Sequence, residues 1–104
     1  MRDADIVKKL VEGFKKHDMH PVALENGENL STIIRFKGTN DSDCSLSVIL
    51  SAGRVVVHRV MGISTIVQDF HFQDIDERFF ELAKDHYDTI KSLIRMRDKL
   101  LGKT

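Results

Sequence analysis

At 104 residues, 41% hydrophobic and 31% charged, the chain has the size and makeup of one folded domain and not of a disordered or multidomain protein. Its 16 basic and 16 acidic side chains cancel, which argues against nucleic acid as a partner, because that affinity rests on excess lysine and arginine. The same balance leaves little net repulsion between copies.

One cysteine, Cys44, allows no internal disulfide. The start Met1-Arg2-Asp3-Ala4-Asp5 is too acidic for a signal peptide, and no run approaches the ~18 apolar residues of a membrane span. A cytoplasmic protein with no membrane partner is expected.

The first element is a helix. Ile6, Val7, Leu10, Val11 and Phe14 recur at helical spacing, Asp3 or Asp5 caps it, and Lys8, Lys9, Glu12, Lys15 and Lys16 fill the opposite face. Asp18-Met19 reads as its end. Pro21 then opens an extended segment to Leu24, which its missing N–H assigns to a sheet edge. Leu30 to Lys37 alternates as a strand. A tight Asn26-Gly27 turn would pair Leu24 with Asn29, whereas a loop from Glu25 to Asn29 pairs Leu24 with Leu30 and Val22 with Thr32; burial favours the second register.

Gly38 to Asp43 reads as a polar loop. Cys44 to Leu50 is the cleanest strand, with Cys44, Leu46, Val48 and Leu50 inward. Arg54 to Met61 pairs with it across Ala52-Gly53. Alanine fits poorly at positive φ, so a three-residue loop is expected, with Leu46 opposite His58 and Cys44 opposite Val60. That register turns His58 inward and Arg59 outward; a two-residue loop would reverse them. A fifth strand, Ile63 to about Gln68, follows a bend at Gly62. Consecutive hairpins favour a meander.

Asp74 and Glu77 resemble a capping box that starts a helix running to about Leu101, with Gly102 ending it. Ile75, Phe79, Leu82, His86, Ile90, Leu93, Ile94 and Leu100 form its inward stripe. Such a rod is ~40 Å long and should overhang the sheet. The fold class is therefore α+β: one domain over 1–104, with a helix, a four- to five-stranded antiparallel sheet, and a long helix closing one sheet face.

No catalytic constellation accompanies this fold. Gly62-Ile63-Ser64-Thr65 lacks the second glycine of a nucleophile elbow, and Gly38 and Gly53 stand alone instead of in a phosphate loop. Cys44, His58 and His71 lie on separate elements, and His17 and His20 flank a helix end, so neither metal nor cofactor is expected. The long helix is acidic early, over Asp74, Asp76, Glu77, Glu81, Asp85 and Asp88. It is basic late, over Lys91, Arg95, Arg97, Lys99 and Lys103. This complements the helix dipole and also makes two antiparallel copies self-complementary.

The leading expectation is a non-enzymatic protein-interaction module, a homodimer that also binds another protein. Its interface would use Leu93, Arg97, Leu100 and Leu101, with Ile33, Ile49 and Val57 on the outer sheet face as a second patch. The alternative is a small-molecule site between sheet and long helix, lined by His58, His86, Phe36, Tyr87 and Thr32.

Overall fold

The computed structural model describes residues 3–27 and 30–102. Met1, Arg2, the Glu28-Asn29 part of the first expected loop, and residues 103–104 lie outside them. In chain order come α1 (Asp3–Lys16), β1 (Pro21–Asn26), β2 (Thr32–Asn40), β3 (Cys44–Ser51), β4 (Arg54–Met61), β5 (Ser64–His71) and α2 (Glu77–Leu100). The strands form one five-stranded antiparallel meander in the order β1-β2-β3-β4-β5. Proline-headed β1 is an edge, as its missing donor requires.

Both helices cover one face. From α1, Ile6, Leu10 and Phe14 join Ile34 and Phe36 of β2, Leu46, Val48 and Leu50 of β3, and Val55 and Val57 of β4 in a single core. Helix α2 adds Phe79, Phe80, Ala83, Tyr87 and Ile90. Phe14 is its aromatic hub, edge-on to Phe36 at 5.0 Å and to Phe80 at 5.5 Å between ring centres. The helices also meet at Gly13, where a Cβ would lie only 2.1 Å from the Phe80 ring.

Helix α1 stops because Asp18 turns left-handed, at φ 57°. The Met19 N–H then reaches the Phe14 carbonyl at 2.9 Å and the Asp18 N–H reaches that of Lys15 at 3.1 Å, closing the helix end. This drops Met19 into the core.

Two expectations about register, one about a strand's extent and one about a helix start are corrected. Leu24 pairs with Ile34 and Asn26 with Thr32, so the connection runs over 27–31 and β2 begins at Thr32 instead of Leu30. Leu30 sits outside, at φ 62°. Burial sets this register only weakly, because the edge strand is half covered: Val22 and Leu24 remain more than half exposed.

Strand β2 also runs on to Asn40, through a bulge at Gly38 (φ 80°), where a loop was expected from Gly38. The Phe36 carbonyl left over by the bulge accepts from Asn40 Nδ2 at 2.8 Å and from Thr39 Oγ1 at 3.2 Å.

The β3–β4 hairpin uses the two-residue turn, with Ala52 at φ 50° and Gly53 at φ 76°. Left-handed alanine costs about 1–2 kcal/mol. The three-residue loop would instead have set Arg54 inward against Leu50, and an unpaired buried charge costs more. In the observed register Arg54 stays outside and its Nε donates to Asp69 at 2.9 Å. The consequence is a swap of faces: Val55, Val57 and Arg59 point inward, and Val56, His58 and Val60 outward.

Helix α2 is capped by Asp76, not Asp74. The Asp76 Oδ1 accepts from the N–H groups of Arg78 at 3.0 Å and Phe79 at 3.3 Å. Asp74 belongs to a short 3-10 turn (Phe72–Asp74), and extended Ile75 between them reaches down into the core. From Glu77 the helix is unbroken for 24 residues, or ~36 Å, within a molecule 47 Å long.

Candidate functional site

The residues expected to line a pocket do not come together. His58 lies on the outer sheet face, between Ser47 and Val67. Phe36 and Tyr87 are core residues, their rings edge-to-face at 5.9 Å, and Thr32 is half-buried at the start of β2. Only His86 finds a polar setting under the sheet, and its neighbour is Arg59.

Arg59 Nη1 lies 2.9 Å from His86 Nδ1, and His86 Nε2 lies 2.8 Å from Gln68 Oε1. A guanidinium only donates, so Nδ1 must accept. The ring proton is then on Nε2 and is given to Gln68. Burial and the Arg59 charge both push the His86 pKa down, burial more, which keeps the ring neutral.

The Arg59 Nε is shielded from solvent and has no hydrogen-bond partner among the described residues. Both imidazole nitrogens of His86 are committed. Such a trio orients a half-buried arginine. Sequence reasoning weighed Arg59 inward but missed Gln68, because the fifth strand's register depends on the fourth's.

A second histidine behaves oppositely. His17 Nδ1 donates to the Gly13 carbonyl at 2.8 Å, and Nε2 to Glu77 Oε1 at 2.7 Å. The carbonyl bond, with Glu77 next, raises its pKa. The ring stacks on Phe80 at 5.4 Å, tying the end of α1 to the first turn of α2.

Beside α2, His20, Lys37, Gly38, Tyr87 and Lys91 line a surface recess of about 290 Å³. Lys84 and Lys91 hold their ammonium groups 5.2 and 5.1 Å from the Tyr87 ring centre. Among the described residues no group of three or more His, Cys, Asp or Glu side chains is placed to hold a metal ion, and no helix is long and apolar enough to cross a membrane.

The expected interface residues divide. On α2, Leu93 is half-buried, while Leu100 and Leu101 are 83% and 62% exposed at the end of the rod. Arg97 is engaged within the chain, with Nη2 2.5 Å from Asp41 Oδ2 and 3.3 Å from Asp98 Oδ1; these bonds hold it firmly protonated.

Val57 is removed from the outer face. It is 1% exposed in the core, because the β4 register is shifted by one from the expected one. Ile33 and Ile49 do lie outside, paired directly across β2 and β3, and Ile49 is paired with Val56 on β4. Sequence reasoning missed Val56, Val60 and Val67. The run Val55-Val56-Val57 is apolar at every position, so no alternation marks which residues face outward.

One cross-strand row organises that face: Glu25, Ile33, Ile49, Val56, Asp69, from β1 to β5. Three aliphatic side chains occupy its middle and an acid each end. Each acid is held by an arginine from the neighbouring strand, Arg35 Nε to Glu25 at 2.9 Å and Arg54 Nε to Asp69 at 2.9 Å. Val60 and the 59%-exposed Val67 extend the apolar area. No family model matches the chain, and neither does a curated protein or a solved structure.

Proposed function

We propose that this protein is a non-enzymatic protein–protein interaction module that works as a homodimer. The observation that carries this reading is the outer sheet face. Both helices lie on the other side, and Ile33, Ile49 and Val56 stand in an unbroken apolar row that the core does not use. Sheets present such a face when something is to cover it; a wholly wet face reads polar. The zero formal net charge of the chain supports self-association, since two copies meet without net repulsion. The exposed end of α2, with Leu100 and Leu101, is a second surface, suited to a different protein.

Light scattering across micromolar concentrations tests the reading. A mass of two chains is expected, and a strict monomer at about 100 μM, far above the micromolar affinities of ordinary transient complexes, ends it.

The alternative, a small-molecule binder, draws on the recess beside Tyr87, whose two lysines and His20 would favour an anion. It is the weaker reading, because Phe36 and Tyr87, meant to line an interior pocket, fill the core instead.

A further inference from the structure

Resting on the homodimer reading above, we infer that the second copy docks sheet to sheet, outer face on outer face, with a two-fold axis passing Ile49. The cross-strand row supports this by its own symmetry. Read from either end it runs acid, aliphatic, Ile49, aliphatic, acid: Glu25, Ile33, Ile49, Val56, Asp69. Ile49 is on β3, the central strand of the five. Any two-fold axis in the plane of the face that lays the row upon itself therefore passes the Ile49 side chain, which meets its own mate.

The charges fit the same arrangement. Glu25 carries Arg35 and Asp69 carries Arg54, each arginine one strand inward from its acid. Two rows laid face to face bring their acidic ends together, so each end becomes a ring of two acids and two arginines. That ring is neutral and forms a polar rim around an aliphatic centre, which is the anatomy of a stable interface. A strongly acidic or basic partner would find no uncompensated charge in this row to recognise.

The area is sufficient. Five strands at ~4.8 Å spacing, each about eight residues at ~3.3 Å, give a face of about 600 Å², or about 1,200 Å² over two copies. This reaches the lower bound of standard stable interfaces, about 1,200 Å². Two twisted sheets so packed would cross at ~30° with a layer ~10 Å thick. The α2 ends stay free.

Two variants test the docking. Ile49→Lys places a charge at the centre of the buried row and should convert the dimer to a monomer at about 100 μM with an unchanged circular dichroism spectrum. Leu100→Ser/Leu101→Ser should leave the dimer intact.

A wild-type dimer that survives Ile49→Lys overturns this arrangement while leaving self-association standing. A wild-type monomer removes both. Loss of the dimer in Leu100→Ser/Leu101→Ser alone moves the interface to α2 and likewise overturns the inference.

Discussion

Two histidines show how a single residue type takes opposite charges from its surroundings. In His17 both ring nitrogens donate, to the Gly13 carbonyl and to Glu77, which requires the imidazolium. In His86 one nitrogen must accept from Arg59, which requires the neutral ring. Their contributions to stability therefore run in opposite directions with pH. The raised pKa of His17 makes its contribution complete below the ordinary value of 6.5, and it fades as pH rises through the folded-state value. The lowered pKa of His86 makes its contribution complete above 6.5, and it fades as pH falls through the folded-state value. NMR titration of the two imidazoles should place the His17 midpoint above 6.5 and that of His86 below. His17→Gln should destabilise the protein at pH 6 and progressively less toward pH 9; an effect independent of pH would mean that the Glu77 contact needs no charge. At the same scale, Ala52 sits left-handed in an exposed turn. Ala52→Asn should raise stability by about 0.5–1 kcal/mol in denaturant unfolding, because asparagine tolerates that conformation.

At the scale of elements, the contact between the two helices is the tightest constraint. Gly13 leaves room for the Phe80 ring and nothing more. Gly13→Ala keeps the helix but must push that ring, so it should cost about 1–3 kcal/mol, measurable as a lowered denaturation midpoint with an unchanged slope. Both helices, the edge position of β1 and the meander were legible in the sequence, because each rests on a strong local rule: a 3.6-residue stripe, a proline without a donor, a series of short turns. Registers were not. Each depended on ranking two modest energies, and the ranking failed where burial is partial (Val22 and Leu24 on the edge) or where every position is apolar (Val55 to Val57). The Ala52 turn is the clearest instance: the local strain was read correctly, but the alternative, with Arg54 turned inward, costs more. The site suffered in proportion. Ile33 and Ile49 precede the uncertain turn and were placed on the right face, whereas Val57 follows it and was not.

For the molecule as a whole, the proposed dimer has a thermodynamic signature. Association that accompanies the folded state stabilises it by mass action, so the melting temperature should rise by several degrees between about 2 and 200 μM protein, and Ile49→Lys should abolish the rise. A melting temperature independent of concentration in the wild type would contradict a dimer dissociating in that range.

The placement of α1 also bears on how the chain is made. Phe14 packs against Phe36, but also against Phe79 and Phe80, which lie more than sixty positions further along. During synthesis the first helix and the five strands leave the ribosome before the segment that seals them. Until Glu77 onward emerges, the inner strand face is covered by α1 alone and α1 lacks half its docking site. Consolidation of the core thus waits for the synthesis of α2.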